Sequence, residues 1–149
     1  MSAASMKDVE AIVRVVGELL SELGGTPPDP SGMREATRTL LEDPDAGMVL
    51  IAHANETLIA VLAASWQTAI HVPGRYGLIQ DLWVDRSWRR RAVGGALLAE
   101  LSRLARERGI WRIEVGLPSE RFQQLDQTQA FYADNGFEAL GPRMRLMLG

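Results

Sequence analysis

Arginines and small residues follow one another in the middle of the chain, in an order that could bind an anion. Arg86 and the run Arg89–Arg91 stand before the stretch Ala92–Ala96, which opens a predicted helix. The first amide groups of a helix have no intrahelical acceptor, and the helix dipole makes that end partly positive. Small side chains let a phosphate approach the backbone, and arginine supplies bidentate contacts. The alternative is a solvated basic loop before a helix that packs closely through its glycines.

The elements around this segment place it between a strand and a helix. The short apolar run over residues 78–84 predicts a strand, and the apolar spacing over 92–108 predicts a helix ended by Gly109. Spacing and turn residues predict the other elements in chain order: helices over 7–23 and 31–42, strands over 48–52 and 58–66, a strand over 111–117, a helix over 120–135 and two short strands within 137–148. This order predicts one α/β domain over residues 1–149, with a mixed sheet and helices on its faces.

Composition narrows the class of protein further. The chain has 149 residues, a net charge of −3 and no cysteine, which excludes disulfides, thiolate metal sites and a cysteine nucleophile. The two histidines lie apart without ligand-like spacing to carboxylates, so we expect no metal site. The negative charge argues against nucleic acid as a partner, and no apolar run has the length of a membrane span. Because the first residues lack a basic-then-apolar signal pattern, the expected location is cytoplasmic.

Two segments in the second half of the chain resemble the signature of a known family. The run Arg89-Arg90-Arg91-Ala92-Val93-Gly94 follows Asp81-Leu82-Trp83-Val84, and Ala130–Phe137 holds Phe131-Tyr132 and Gly136-Phe137. These residues resemble the GNAT superfamily of acyltransferases, whose signature is Gln/Arg-x-x-Gly-x-Gly/Ala after a strand, with an aromatic-Tyr … Gly-Phe segment on the last helix. The chain departs from this pattern at Ala92, which replaces the first glycine, and at Leu125, which replaces an asparagine.

The resemblance implies both a fold and a co-substrate. It implies a mixed, mostly antiparallel central sheet that is flanked by helices and splayed between its fourth and fifth strands. The splay would admit acetyl-CoA, with pantetheine along the backbone of residues 82–84 and the Val84 N–H facing the thioester carbonyl. The diphosphate would lie on the helix start, where Ala92 is small enough to keep helical dihedrals. The residues that the resemblance assigns to the co-substrate are Leu82, Trp83, Val84, Arg89, Arg90, Arg91, Ala92, Val93, Gly94, Gly95 and Ala96.

Acetyl transfer to an amine requires a group that protonates the leaving thiolate and a group that takes a proton from the amine. By the resemblance Tyr132 is the candidate acid, because a phenol of pKa ~10 can protonate a thiolate whose conjugate acid lies near ~8.5. The alternative for Tyr132 is a core aromatic role. Asp81 and Glu114 are candidate bases, directly or through water, and their alternative is a solvent-facing or arginine-paired carboxylate. Four tryptophans are candidates for an acceptor site or for the core: Trp66, Trp83, Trp88 and Trp111.

The resulting hypothesis is an acetyl-CoA-dependent N-acetyltransferase that acts on a primary amine of a small molecule or peptide. A non-catalytic acyl-CoA sensor on the same fold is the alternative, because Ala92 and Leu125 depart from the signature. A nucleic-acid binder that uses Arg86–Arg91 is a third reading, and a steep salt dependence of binding would be its mark. The acceptor stays open because loops form that side of the site, and the resemblance makes a homodimer an expectation.

Overall fold

The computed structural model describes residues 1–119 and 122–149, and the chain folds into two compact units, Met1–Val115 and Gly116–Gly149. The elements of the first unit are β1 (Ser2–Ala3), α1 (Val9–Glu22), α2 (Pro30–Glu42), β2 (Gly47–Ala54), β3 (Thr57–Ala69), β4 (Gly74–Val84), α3 (Val93–Glu107) and β5 (Ile113–Val115). The second unit contains α4 (Leu125–Asp134). Among the described residues, no helix combines the length and apolar character that a membrane crossing requires.

The sheet has five strands in the order β1-β2-β3-β4-β5. The pairs β1–β2, β2–β3 and β3–β4 are antiparallel, and the pair β4–β5 is parallel. This architecture confirms the predicted α/β fold with a mixed, mostly antiparallel sheet. The ladder between β4 and β5 joins Gly77–Ile79 to Ile113–Val115, whereas β4 continues to Val84. Within the described residues, the last part of β4 therefore has no strand beside it on the β5 side, as a splay requires.

The helices cover the two faces of the sheet because their apolar residues recur with helical spacing. The core on the α1 face consists of Ile12, Val15, Val49, Ile51, Val61, Ala63 and Trp83. On the opposite face, α3 contacts β2, β3 and β4 and buries Leu97, Leu98 and Leu101. The middle of β3 lies between these layers and is buried on both sides, as its apolar run predicts.

A β-bulge in β4 changes which residues face α1. Ala64 pairs with Ile79 but Ala63 pairs with Asp81, so Gln80 is an extra residue without a partner on β3. Directly paired residues of neighbouring strands place their side chains on the same face of a sheet. Because Ala63 belongs to the core beneath α1, Asp81 lies on that face as well. Strict alternation along β4 would place Ile79 and Asp81 on the same face. Ile79 instead pairs with Ala64, on the face opposite to Ala63 and Asp81.

Two sequence predictions for the end of the chain need correction or a limit. The predicted strands within 137–148 are wrong, because residues 137–149 form no strand. An alternating pattern supplies one apolar face, but a strand also needs a neighbour for its backbone groups, and Met144 and Leu148 are almost fully exposed. The last helix is confirmed as Leu125–Asp134, while its predicted start at Glu120 lies outside the described residues.

Candidate functional site

The loop between β4 and α3 turns sharply because Asp85 caps a short 3₁₀ turn over Arg86–Trp88. The Asp85 side chain accepts a hydrogen bond from the Ser87 N–H at 2.9 Å, and the Trp88 N–H donates to the Asp85 carbonyl at 2.8 Å. Asp at this position is typical of an N-cap, since its short side chain reaches the backbone two residues on. The turn brings the chain from the end of β4 directly to the arginine run.

Two residues of this loop have left-handed backbone conformations. Arg90 and Ala92 both have φ of 63°, a region that favours glycine because a Cβ crowds the backbone there. The expectation that Ala92 keeps helical dihedrals is therefore wrong, since Ala92 is the N-cap residue and α3 begins at Val93. Alternation of this kind produces concave backbone that can hold an anion.

The start of α3 presents free amide groups. The first helical hydrogen bond runs from the Ala96 N–H to the Ala92 carbonyl at 3.0 Å. The amides of Val93, Gly94 and Gly95 precede it and so have no acceptor within the helix. Since α3 has 15 residues, its dipole adds partial positive charge at this end. As the sequence predicts, one end of α3 combines small residues with amide groups that have no acceptor within the helix.

The arginine run does not form one cluster. Arg89 donates through Nε to the Val84 carbonyl at 2.9 Å and through Nη2 to the two carboxylate oxygens of Glu22 at 3.0 and 2.9 Å. Arg90 and Arg91 are exposed, and the Arg91 guanidinium carbon lies 5.1 Å from the centroid of the Trp88 ring. The run thus separates into one residue tied to the protein and two that face solvent.

The end of β4 has a backbone edge beside which the described residues place no strand on the β5 side. The Asp85 N–H donates to the carbonyl of Ile59 in β3 at 2.8 Å. Amide groups of successive residues in an antiparallel strand point alternately to its two sides. The N–H and C=O of Val84, and likewise of Leu82, therefore point away from β3, toward the side where the β5 ladder has already ended at Ile79. Trp83 has the reverse arrangement, and its ring is buried beneath α1.

The two candidate bases lie on one face of the sheet. Leu78 pairs with Ser65 on one side and with Glu114 on the other, so Glu114 shares the α1 face with Asp81. Burial raises the pKa of Asp81 above its ordinary value of 3.8. Glu114 instead accepts a hydrogen bond from the Arg112 Nε at 2.8 Å, which is the arginine-paired alternative considered for it.

Two glutamines and a serine extend this face, and sequence analysis did not identify them. The side-chain amides of Gln67 and Gln80 both donate to the Ser65 hydroxyl oxygen, each at 2.9 Å. We call Ser65, Gln67, Gln80, Asp81 and Glu114 the polar surface. The only sequence signal for it is the polar pair Gln80-Asp81 inside an apolar run. The bulge that brings both side chains to this face depends on pairing with β3 and has no local signature.

Tyr132 lies in the second unit, where it is the buried residue of α4. Its ring makes edge-on contacts with Phe131 and Phe137, with centroid distances of 5.1 and 5.3 Å. Burial raises the pKa of Tyr132 to about 12. The phenol is therefore protonated at neutral pH, as a proton donor must be, and it also has the aromatic packing expected of a core residue.

The remaining tryptophans divide between core and surface. Trp66 and Trp83 are buried, whereas Trp111 is 78% exposed. Trp66 packs on Gly77, where an added Cβ would lie 2.9 Å from the ring, and Arg108 covers its other side with a guanidinium carbon 5.4 Å from the centroid. Trp66 and Trp83 are thus packing residues. Within the described part of the chain, no group of three potential metal ligands is found.

Comparisons with known proteins place this geometry in context. A model of the acetyltransferase (GNAT) family matches residues 16–137, and no curated protein matches the chain significantly. A predicted acetyltransferase from Clostridium acetobutylicum, solved with acetyl-CoA, has 22% identity and a TM-score of 0.78 over 97% of this chain and 93% of its own. An aminoglycoside acetyltransferase from an uncultured soil metagenomic sample has 17% identity and a TM-score of 0.77 over 99% and 95%.

A third similar structure is the ribosomal-protein-alanine N-acetyltransferase from Brucella melitensis biovar Abortus 2308. It has 17% identity and a TM-score of 0.75, over 99% of this chain and 97% of its own. Sequence identities of this size support the shared fold and leave the acceptor of this chain open, because similar folds carry different acceptor sites.

Proposed function

This chain belongs to the acetyltransferase (GNAT) family, and on that premise we propose that it transfers an acetyl group from acetyl-CoA to a primary amine of a small molecule or peptide. The reaction is direct aminolysis. The amine nitrogen bonds to the carbonyl carbon, the C–S bond breaks, the amine loses a proton and coenzyme A leaves as the thiol. The observation that carries the proposal is the open edge of β4 at Leu82 and Val84, which leads to the unpaired amides of α3.

The donor is held by backbone groups along this path. Pantetheine extends along the edge of β4 beyond the β5 ladder and exchanges hydrogen bonds with the backbone of Leu82, as an added strand would. The diphosphate lies against the amides of Val93, Gly94 and Gly95, where the helix dipole and the exposed Arg90 and Arg91 favour negative charge. The backbone of Ala92 and the small side chain of Ala96 keep the approach open.

The Val84 N–H stabilises the oxygen of the tetrahedral intermediate. This amide points toward the open side of β4, so it needs no reorientation to meet the thioester carbonyl. A single preorganised donor of this kind contributes about 3 kcal/mol to the lowering of the barrier. The proposal therefore gives the strand end a chemical role beyond binding.

Tyr132 acts on the leaving group. Its pKa of about 12 makes full proton transfer to a free thiolate of conjugate pKa ~8.5 uphill by about 5 kcal/mol. Tyr132 accordingly donates a hydrogen bond to the sulfur as the C–S bond lengthens, and the thiolate takes its proton along that bond or from solvent. The phenol must be protonated for this role, and burial keeps it so.

Asp81 is the better candidate for the base. Among the described residues, no hydrogen bond to its carboxylate is found, whereas one oxygen of Glu114 already accepts from Arg112. A raised pKa also makes Asp81 a stronger proton acceptor than an ordinary carboxylate. The proposed acceptor site is the polar surface, where Asp81 takes the proton directly or through a water molecule. Glu114, whose charge is offset by Arg112, can accept a hydrogen bond from the amine through its other carboxylate oxygen.

The test is a screen of amine pools with acetyl-CoA and a thiol-detecting readout, performed on the wild-type protein and on Tyr132→Phe. We expect thiol release with at least one pool, and a much lower rate for Tyr132→Phe at unchanged coenzyme A affinity measured by calorimetry. If coenzyme A binds but every pool is silent, the sensor alternative is correct. If coenzyme A does not bind, both readings are wrong.

A further inference from the structure

One guanidinium joins three parts of the first unit that are distant in sequence. Arg89 lies in the loop before α3 and bonds both to the last residue of β4, Val84, and to the last residue of α1, Glu22. We propose that Arg89, anchored by Glu22, is a positioning residue that holds the end of β4 so that the Val84 amide meets the thioester carbonyl. The proposal rests on the acetyl-transfer function given above, and it assigns the Arg89 side chain to the strand rather than to the diphosphate.

The geometry of Val84 is the first support. Because the Asp85 N–H is bonded to Ile59, the C=O and N–H of Val84 both point to the open side of β4. Arg89 Nε approaches the carbonyl at 2.9 Å. The ladder with β5 ends at Ile79, so β5 does not hold this strand end in place. The guanidinium thus supplies the restraint that a neighbouring strand would otherwise give, and its positive charge lies close to the amide that must stabilise an oxyanion.

The placement of Glu22 is the second support. An acidic residue at the C-terminal end of a helix opposes the helix dipole, and no basic residue stands in the last turn of α1. Two arginines from another part of the chain offset the charge of the Glu22 carboxylate. Arg89 Nη2 lies 2.9 Å from Oε2, and Arg86 Nε lies 3.5 Å from Oε1. The Glu22 side chain is only 26% exposed. A carboxylate placed against the dipole and engaged in this way is suited to holding a guanidinium.

The shape of arginine is the third support. The planar guanidinium offers N–H groups in fixed directions, so Nε can bond to Val84 while Nη2 bonds to Glu22. A lysine ammonium at the same position keeps the charge but cannot span both acceptors. Arg89→Lys therefore keeps the charge and removes the fork geometry. A donor without phosphates then distinguishes an effect on the strand end from an effect on a phosphate contact.

The experiment compares two donors: acetyl-CoA, and the S-acetyl thioester of pantetheine, which has no phosphates. Arg89→Lys should lower kcat about tenfold on both donors, as expected when an interaction made in the transition state is lost. Glu22→Ala should lower kcat on both donors, and Glu22→Gln, which keeps an oxygen acceptor, should restore most of the rate. The matched control is Glu18→Gln, one turn earlier on α1 and paired with Arg14 at the surface, which should leave both rates unchanged.

Rates are expressed per coenzyme A binding site measured by calorimetry, so that a misfolded fraction does not lower kcat. A loss confined to acetyl-CoA, as a raised KM, would mean that Arg89 is a phosphate ligand and would overturn the inference.

The Val84 amide resonance gives a readout that does not need turnover. Its shift on binding acetyl-CoA should be smaller in Arg89→Lys than in the wild type, and an equal shift would also overturn the inference. Wild-type protein that shows this shift but transfers acetyl to no amine would refute the proposed function separately.

Discussion

Replacement of Ala92 by glycine should stabilise the protein, although alanine to glycine inside a helix usually has the opposite effect. Ala92 is the N-cap of α3 and has φ of 63° and ψ of 8°. This left-handed conformation crowds the Cβ of any L-residue, and glycine adopts it without that cost. The Ala92 side chain is exposed, so its removal sacrifices no packing. The substitution therefore tests the backbone geometry of the loop that is proposed to hold the diphosphate.

The magnitude follows from two opposing contributions. The left-handed conformation costs alanine roughly 1–2 kcal/mol, whereas glycine gives the unfolded chain additional freedom worth about 0.4–1 kcal/mol. The difference between the midpoints of these ranges is a gain of about 0.8 kcal/mol in the free energy of unfolding, which corresponds to a rise in Tm of about 2 °C for a chain of this length. Coenzyme A affinity should stay equal or improve, since the Cβ leaves the approach to the α3 amides.

The assay is differential scanning calorimetry of Ala92→Gly beside Ala99→Gly. Ala99 is also exposed and lies inside α3, where glycine costs about 1 kcal/mol relative to alanine. The same chemical change in the same helix should thus shift Tm in opposite directions. If Ala92→Gly lowers Tm as Ala99→Gly does, the left-handed conformation of residue 92 is wrong, and with it the proposed shape of the anion site.

Three further outcomes are expected. Tyr132→Phe should lower kcat about 100-fold. The wild-type rate should show no alkaline decline from Tyr132 until pH approaches the pKa of this phenol, about 12. A decline at lower pH that Tyr132→Phe abolishes would contradict this. Burial raises the pKa of Asp81, so stability is lost as pH rises from 3.8 through the raised value. Asp81→Asn should accordingly raise Tm at neutral pH and leave it unchanged below pH 3.8. Arg91→Ala should weaken coenzyme A binding about fivefold, while Arg106→Ala, at the other end of α3, should not.

Local signals in the sequence were enough for most of the fold. Apolar spacing, glycine stops and turn residues predict α1, α2, β2, β3, β4 and α3 close to their observed bounds, because apolar residues recur along the chain with a different period in helices and in strands. The helix end of the proposed donor site was also predictable from local signals. Amides without an intrahelical acceptor occur at every helix start, and the small residues are read directly from the sequence.

The sequence misjudged or missed features that depend on residues far apart in the chain. The strands predicted within 137–148 have the right alternation and still do not form, since strand formation requires a neighbouring strand. The conformation of Ala92 was also mistaken, because an alanine beside a helix gives no sign that the chain must reverse there. In each case the deciding contacts or constraints lie outside the segment whose pattern was read.

The sequence by itself determined the order of elements, the small-residue start of α3 and the family resemblance, because these reside in local patterns. Only the tertiary structure decided which side chains lie at the proposed site. The pairing of β3 with β4 creates the bulge at Gln80 and turns Asp81 to the α1 face. The packing of α1 brings Glu22 to Arg89, 67 residues away, and so directs one arginine of the run to the strand end. Register and helix placement minimise the free energy of the whole core, and no single segment of the chain contains that information.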